Sequence, residues 1–323
     1  MTAIYDILTI PFGWALSLLY TLSNNYLLSL FLLTLVVRAA LLPSAIKQQK
    51  GTASQLRMQA KVNKIREQYK GNQQKINEET QALYQKEGFN PMSSGCLPLL
   101  IQMPIIIGLF GVSYTPLSQV LRINADVVAK LKDALVTLPE YLESIGGAEN
   151  IARNSRQIEI GILKFFDKLV EMVPEVGAYA DQIHSFRESF TFFGINLYDK
   201  AEFNNFNIIW LIPILSGLTA LLLSIYTTLK QRKTNPEMAK NPTAGCMMLM
   251  SPAMSVYFAF ILPAGVGVYW IMSNIISFVQ TLLLNYTHNP KKMMAQVMID
   301  ETVQKRSKEE NIKKIKAMQD EQE

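Results

Sequence analysis

Long apolar segments constrain this chain more than any other feature of its sequence. A helix that crosses a bilayer needs about 20 mostly apolar residues. Four runs reach this length, and they begin at Tyr26, Cys96, Ile208 and Cys246. The last run continues to Tyr286, too far for one helix, and is interrupted by a proline- and glycine-containing segment at 263–267. We therefore predict an all-α polytopic membrane protein with five transmembrane helices.

Composition agrees with this fold class and argues against catalysis. Charged residues make up 18% of the chain, whereas a soluble domain carries about 25%. The two cysteines, Cys96 and Cys246, do not form a disulfide framework. The two histidines, His184 and His288, lack the spacing of metal ligands, and no phosphate-binding loop or nucleophile motif occurs. We predict no catalytic residue, no metal, no cofactor and no enzymatic activity.

Basic residues are distributed unevenly between the loops and so predict the topology. Residues 47–93 carry nine Lys or Arg against four Glu, and the short loop after the third run is also basic. Residues 115–206 carry more acids than bases. Because basic loops remain in the cytoplasm, we expect the amino terminus outside and the carboxyl terminus inside. The Arg- and Ser-rich pattern of a transit peptide is not seen, which favours a bacterial plasma membrane over an organelle.

The first apolar segment, residues 4–20, permits two interpretations. Asp6, Pro11 and Trp14 suit an amphipathic helix in the headgroup region, where aromatic rings settle. A sixth transmembrane helix is the alternative. We favour the interfacial helix.

The basic loop has its own helical pattern. Val62, Ile65 and Tyr69 recur at helical spacing before a break at Gly71-Asn72, which predicts a helical hairpin. Its exterior cations could recruit acidic partners such as a ribosome or a nascent chain, or could be a solvated surface that only obeys the topology rule. The candidate recruitment residues are Lys61, Lys64, Arg66 and Lys70.

These patterns divide the chain into ten segments. The long outer loop is expected to contain two amphipathic helices, Val127–Leu142 and Ile158–Val173, around Gly146-Gly147. The charged tail has balanced signs, which favours a solvated helix over a nucleic-acid-binding arm. The predicted segments are an interfacial helix (1–22), TM1 (25–46), the cytoplasmic hairpin (47–93), TM2 (94–114), the outer loop (115–206), TM3 (207–229), a cytoplasmic loop (230–245), TM4 (246–262), TM5 (264–286) and the cytoplasmic tail (287–323).

One permanent cation lies inside the first transmembrane segment. Arg38 occurs in LLTLVVRAALLP, and a guanidinium in hydrocarbon costs at least about 2.5–3.5 kcal/mol. Its position, about 12 residues into the helix, places it in the cytoplasmic half of the bilayer. The side chain could snorkel to the interface, or it could face a polar site.

Other polar residues in the apolar runs favour a polar site. Gln102 interrupts the second run, and part of the last run carries polar residues at three- and four-residue steps, which share one helix face. This stripe comprises Trp270, Ser273, Asn274, Ser277, Gln280 and Thr281, of which the first four are the candidate groove residues. If it converges with Arg38 and Gln102, the result is a hydrated groove with a positive charge that no carboxylate in these spans neutralises. Ordinary interhelical hydrogen bonding is the alternative for the stripe.

Several longer motifs carry a family resemblance. They are PFGW, LTLVVRAALLPSAIKQQK, NPMSSGCLPLLIQMPIIIGLF, FFGINL and LPAGVGVYWIMSNIISFVQ, which occur in this order across residues 8–114 and 190–286. The chain resembles the YidC-family membrane protein insertases of the Oxa superfamily, in their compact bacterial form. The outer loop, about residues 116–189, is longer than the compact form leads us to expect, so no role carries over to it.

The resemblance implies five helices around a groove that opens to the cytoplasm and to lipid. Arg38 would recruit the polar or acidic outer segment of a substrate, Gln102 and Trp270 would line the groove, and the hairpin at 50–88 would be the mobile region needed for insertion. The implied function is insertion and folding of membrane proteins in the bacterial plasma membrane. The implied partners are nascent membrane proteins, membrane lipids, the ribosome and a Sec-type translocon.

A small-anion transporter or channel that binds its solute at Arg38 is the competing hypothesis. It predicts paired inverted repeats with broken helices. The only echo of a repeat is NPMSSGC before the second run and NPTAGC before the fourth, which is short. The insertase is therefore favoured.

Overall fold

The computed structural model describes residues 2–89, 97–202, 205–234, 242–287 and 290–320. Most of this part of the chain is helical, apart from a small antiparallel hairpin of β1 (Thr191–Phe192) and β2 (Ile195–Asn196). The α-helices are α1 (Thr2–Ser23), α2 (Tyr26–Ala40), α3 (Leu42–Gln68), α4 (Gln73–Glu87), α5 (Leu97–Tyr114), α6 (Pro116–Gln119), α7 (Ala125–Leu135), α8 (Pro139–Ser144), α9 (Ile151–Asn154), α10 (Ile158–Lys164), α11 (Phe166–Met172), α12 (Ala180–Ser189), α13 (Leu211–Thr234), α14 (Pro242–Ile261), α15 (Ala264–Thr287) and α16 (Pro290–Asp320).

These helices form two compact units. The first comprises Met1–Ala40, Leu99–Ile225 and Met247–Ser277, and the second comprises the three remaining stretches. The first unit contains the predicted polar site and the outer loop. The second contains the predicted cytoplasmic hairpin and the tail.

Apolar helices of membrane-spanning length are present, as the sequence predicts. Ile208–Lys230 and Ala264–Thr287 each meet the requirement alone, and Tyr26–Ala40 meets it together with Leu42–Gln49 across the break at Leu41. Shorter apolar helices include Met103–Tyr114 and Met248–Ile261. The protein is therefore an all-α membrane protein, and the number of five transmembrane helices stays a prediction.

The end of the first predicted span and the extent of the break before the last one differ from the prediction. The first predicted span, 25–46, ends as a helix at Ala40, and Pro43 lies in the first turn of α3, where its missing N–H costs nothing. The break at Pro263 is confirmed, but Gly267 lies inside α15 and not in the turn. A Cβ atom on Gly267 would lie 2.4 Å from Ile212 Cγ2, so the glycine permits close packing of α15 on α13.

The helix predicted at the membrane surface, α1, packs tightly against α5. A Cβ atom on Gly111 would lie 1.8 Å from Thr9 Oγ1, and one on Gly108 would lie 2.3 Å from the Phe12 ring. Both glycines lie within about 9 Å of the end of α5 at Tyr114, given a rise of 1.5 Å per residue. Because these two glycines have no side chains, Phe12 and Thr9 of α1 can pack directly against the backbone of α5.

The predicted outer loop folds into a helical domain with its own core, which we call the loop domain (residues 115–202). Its helices surround ten side chains that are almost fully buried, and these are Leu117, Leu131, Leu135, Ile162, Leu163, Phe166, Leu169, Val176, Ile183 and Phe186. The predicted break at Gly146-Gly147 is confirmed, because both glycines have positive φ angles of 79° and 114°. The domain is thus a packed structure and not an irregular loop.

Both helices predicted in the loop domain are divided in the structure. The predicted Val127–Leu142 becomes α7 and α8, because the residue before Pro139 is disfavoured in helical conformation. The predicted Ile158–Val173 becomes α10 and α11, with a break at Phe165. Helix α12 was not predicted from the sequence.

A buried carboxylate joins three helices of the loop domain. Glu159 on α10 is 1% exposed and accepts hydrogen bonds from the Ser118 backbone N–H (3.0 Å) and hydroxyl (2.6 Å). The Lys132 ammonium on α7 lies 3.4 Å from the same carboxylate. Since buried charges are stable only when paired and hydrogen-bonded, Glu159 fixes α6, α7 and α10 relative to one another.

The loop domain is fastened to the ends of two membrane helices. At the start of α2, the Tyr26 ring lies 4.3 Å from the Phe190 ring, centroid to centroid. At the start of α15, the backbone N–H groups of Ala264 and Gly265 donate to the carbonyls of Asp199 (2.8 Å) and Leu197 (2.7 Å). These bonds satisfy N–H groups that a helix start leaves without an intrahelical partner. We call these starts of α2 and α15 the loop-domain ends.

The second unit contains the predicted helical hairpin. The turn between α3 and α4 includes Gly71, with a φ of 95°, and Asn72, whose side chain caps α4. Val62 and Ile76 are buried in the hairpin, and α16 packs along α3. Lys61 is ion-paired with Glu87 at 2.6 Å, whereas the other candidate cations, Lys64, Arg66 and Lys70, are exposed.

We predict that Gly111→Ala loosens α1 from α5. The added methyl group collides with Thr9, and overpacking of this kind costs about 1–3 kcal/mol. Thermal unfolding in detergent should occur at a lower temperature, and Thr9→Ala should restore part of the loss in the double variant. Gly177→Ala is the matched control, because nothing lies within 4 Å of its Cβ position. Equal stability of the Gly111 and Gly177 variants would contradict the contact.

We predict that Glu159→Ala destabilises the loop domain by about 3 kcal/mol, because it removes a buried carboxylate and leaves the half-buried Ser118 donors and the Lys132 ammonium without their acceptor. The measurement is the rate of limited proteolysis within residues 115–202. Glu175→Ala is the control, since Glu175 pairs with Lys130 on the exposed surface and its loss should leave the cleavage rate unchanged. If both variants are cleaved at the wild-type rate, Glu159 does not hold the helices together.

Candidate functional site

Arg38 contacts the polar stripe of α15. Its Nη2 atom donates a hydrogen bond of 2.7 Å to the Ser273 hydroxyl, across 235 residues of sequence. Ser273 is buried and Arg38 is half-buried. The structure thus brings together two of the predicted site residues, from α2 and α15.

This contact lies far from the loop-domain ends of the two helices. Arg38 is 12 residues beyond the start of α2 and Ser273 is nine residues beyond the start of α15. At 1.5 Å per residue these separations are about 18 and 14 Å, and the hydrocarbon core is about 30 Å thick. The guanidinium–hydroxyl pair therefore lies well inside both helices, away from the loop-domain ends.

The described surroundings satisfy the guanidinium only in part. A guanidinium has five N–H donors, and in the described part of the chain Ser273 supplies one side-chain acceptor. The buried Tyr269 lies in the neighbourhood of this cation. None of the described carboxylates forms an ion pair with Arg38. Among the described residues, the Ser273 hydroxyl is therefore the side-chain acceptor that this guanidinium contacts.

Asn274, the next residue of the stripe, faces a different helix. Its amide donates to the Ser216 carbonyl (3.3 Å) and the Thr219 hydroxyl (3.2 Å) on α13. The Ser216 hydroxyl in turn donates to Ser255 on α14 at 3.2 Å. These bonds connect α13, α14 and α15 through polar groups, so part of the stripe performs interhelical bonding, the alternative considered for it.

Sequence analysis missed the partners of the stripe. Ser216, Thr219 and Ser255 occur singly in apolar runs, and Tyr269 is an aromatic residue beside Trp270. The three-residue step from Ser216 to Thr219 was the available signal, because it places both on one face of α13.

Trp270 lies in an aromatic cluster and not among the polar groups. Its ring centroid is 5.9 Å from that of Phe110 and 5.5 Å from that of Phe258, which stacks on it. Ser277 donates to the backbone carbonyl of Ser273, one turn away. The side chain of Gln102 and the NPMSSGC motif at 90–96 lie outside the described residues.

The described part of the chain offers no cluster of three or more metal-ligating side chains. Two open apolar grooves, of about 460 and 440 Å³, follow the exposed apolar surface of α13. The second lies against α14, between Leu218 and Val256. Arg38 lines neither groove, so the hydrated groove around it stays a prediction.

Comparison with known proteins places the chain among membrane proteins of one family. The sequence profile of the family described as "60Kd inner membrane protein" matches residues 18–292. The chain is 31% identical over 263 residues to the chloroplast inner membrane protein PPF-1 of Pisum sativum, covering 80% of this chain and 48% of that one. It is 26% identical to the membrane protein insertase YidC 2 of Listeria innocua, covering 87% of this chain and 71% of that one.

A third relative shows that the members of this family differ widely in chain length. The membrane protein insertase YidC of Zymomonas mobilis is 28% identical, and the match covers 86% of this chain but 37% of the relative. The chain thus spans about half or less of two of these relatives and most of the third. Because the family profile covers the greater part of the sequence, the chain belongs to the 60Kd inner membrane protein family, the family of the YidC insertases.

Proposed function

We propose that this chain is a membrane protein insertase of the bacterial plasma membrane, which inserts integral membrane proteins and assists their folding. Membership of the family and the names of the Listeria and Zymomonas relatives support this function. The insertases of this family are not enzymes. The function is therefore one of binding and transfer, without bond formation.

The mechanism we propose rests on the half-buried Arg38 guanidinium, which has one described hydroxyl partner, Ser273. A hydrogen bond to a charged group contributes about 1.5–3 kcal/mol, whereas a guanidinium in hydrocarbon costs at least about 2.5–3.5 kcal/mol. One such bond at most offsets this cost, and the other N–H donors still require acceptors. Water around Arg38 supplies them, so the site is a hydrated groove within the bilayer.

The groove opens to the cytoplasm and sideways to lipid, and it recruits the polar or acidic flank of a substrate helix through Arg38. Each polar group that crosses hydrocarbon without a partner costs several kcal/mol, and a wet groove shortens that dry path. The substrate's apolar helix then leaves sideways into lipid. The loop domain, which is fastened to the starts of α2 and α15, supports a groove that is closed on that side.

The topology in this proposal has the amino terminus outside and the carboxyl terminus in the cytoplasm. The exposed cations Lys64, Arg66 and Lys70 on the α3–α4 hairpin then face the cytoplasm, where they can contact a ribosome or a nascent chain. Substrate recruitment by the hairpin, contact with membrane lipids and cooperation with a Sec-type translocon belong to the proposal. Gln102 and Ser277 line the groove together with Arg38 and Ser273 in this account.

We predict that the charge of Arg38 matters most for substrates with an acidic flank. In proteoliposomes, Arg38→Ala should reduce insertion of such a substrate about tenfold, equivalent to about 1.4 kcal/mol. Arg38→Lys should retain most of the activity, because the positive charge is kept. The measurement is the fraction of substrate protected from added protease.

The control is the same substrate with its acidic residues changed to Gln. Arg38→Ala should then have little effect, since the variant removes an attraction that this substrate lacks. Equal losses for both substrates would reject an electrostatic role for Arg38. Failure of the wild-type protein to insert either substrate would reject the insertase itself.

We predict a separate role for the hairpin cations in recruitment. A Lys64→Gln/Arg66→Gln/Lys70→Gln variant should lose binding to ribosomes that carry a nascent membrane protein, measured by co-sedimentation of vesicles. The difference from wild type should shrink as salt is raised, because salt screens these exposed charges. The variant should still insert a released substrate at the wild-type rate. A matched variant on the loop domain, Lys130→Gln, should bind like wild type. Wild-type binding by the triple variant would show that these cations are only a solvated surface.

A further inference from the structure

The β1–β2 hairpin presents two phenylalanine side chains to the outside of the protein. Phe193 is 83% exposed and Phe192 is 38% exposed, and their rings meet edge to face at 4.5 Å. The six residues of the hairpin, Thr191–Asn196, include no charged side chain. Two adjacent aromatic rings without apolar cover are unfavourable in water, since burying each would release a large apolar area.

The backbone conformation of Phe193 at the tip is unusual for a bulky residue. Phe192 pairs with Ile195, so Phe193 and Gly194 form a two-residue turn, with φ angles of 48° and 77°. Such turns favour Asn-Gly, because both residues have positive φ, and a bulky side chain is strained there. Nothing in the described fold of the tip requires Phe193, since its ring is mostly exposed.

The base of the hairpin fixes its level along the membrane helices. Phe190 packs on Tyr26 at the start of α2, and the Leu197 carbonyl accepts a hydrogen bond from Gly265 in the first turn of α15. The Leu197 N–H donates to the Phe190 carbonyl at 2.9 Å and closes the base. The tip is three residues farther, about 10 Å at 3.3 Å per residue. The tip therefore lies no more than about 10 Å from the level of the helix starts, and the headgroup layer on each side of the hydrocarbon is about 5–8 Å thick.

A second aromatic group lies at the start of α13, where the chain returns from the loop domain to the membrane. Phe206 is 79% exposed, and its ring lies 5.1 Å from that of Trp210. The Trp210 indole N–H donates to the carbonyls of Glu202 and Asn205, so its polar edge is satisfied by backbone. Aromatic rings at helix ends with satisfied polar groups are typical of the membrane interface.

We propose that the Phe192-Phe193 tip inserts into the headgroup–acyl boundary of the leaflet on the loop-domain side and anchors the loop domain to lipid. The occupant of this apolar surface is the phospholipid bilayer, because the tip is uncharged and lies at the level of the helix ends. This assignment concerns lipid alone and is independent of the insertase proposal.

The test uses a fluorescent thiol label whose emission shifts to the blue in an apolar environment. In a Cys96→Ser/Cys246→Ser background, the label is attached at Phe193→Cys, at Thr191→Cys, which keeps both phenylalanines, or at Lys130→Cys as a control on the charged surface of the loop domain. The proteins are placed in vesicles of phosphatidylethanolamine and phosphatidylglycerol, with nitroxide lipids labelled in the headgroup or near the acyl-chain end.

We expect blue-shifted emission at residues 193 and 191 and several-fold stronger quenching by the headgroup nitroxide than by the deep one. The label at residue 130 should emit as in water, without quenching. Water-like emission at both hairpin positions would overturn the proposal. Blue-shifted emission that neither nitroxide quenches would assign the tip to a protein partner or a second copy, and stronger quenching by the deep nitroxide would reject an interfacial anchor.

Discussion

The hydrogen bond between Arg38 and Ser273 is the interaction on which the proposed mechanism depends. Arg38 is a permanent cation in an apolar helix, and none of the described ion pairs includes it. Such a group is stable only if its donors find acceptors. Ser273 provides one acceptor, and five donors are present. In a bundle without water, Arg38 would be destabilising because its N–H donors outnumber the described acceptor. In the proposed hydrated groove, the same donors and the positive charge can bind an incoming polar segment.

The two sides of the bundle are built differently around this interaction. On the loop-domain side, a packed domain held by Glu159 is fastened to α2 and α15 by an aromatic contact and by backbone hydrogen bonds. On the deeper side of Arg38, α15 continues with Ser277, Gln280 and Thr281. The Asn274–Ser216–Ser255 connection links α15, which contacts Arg38, to α13 and α14.

Sequence patterns predicted the features that depend on local chemistry. Apolar runs predicted the membrane helices, Gly71-Asn72 predicted the hairpin turn, and Pro263 predicted the break between α14 and α15. Arg38 and the α15 stripe were recognised because polar groups stand out against apolar sequence. Long-range partners could not be predicted in the same way. The division of the stripe between Arg38 and α13 depends on helix rotation, and the loop-domain core depends on tertiary packing of short helices such as α12.

Water access next to Arg38 tests the central claim most directly. In a Cys96→Ser/Cys246→Ser background, Ser277→Cys lies one turn beyond Ser273, and Ile275→Cys lies at similar depth on the exposed apolar surface of α15. A thiol reacts as the thiolate, which forms in water and not in hydrocarbon. The account predicts that a charged, membrane-impermeant thiol reagent added on the cytoplasmic side of vesicles modifies residue 277 many times faster than residue 275. Equally slow modification at both positions would mean that Arg38 lies in a dry bundle, and would contradict the account.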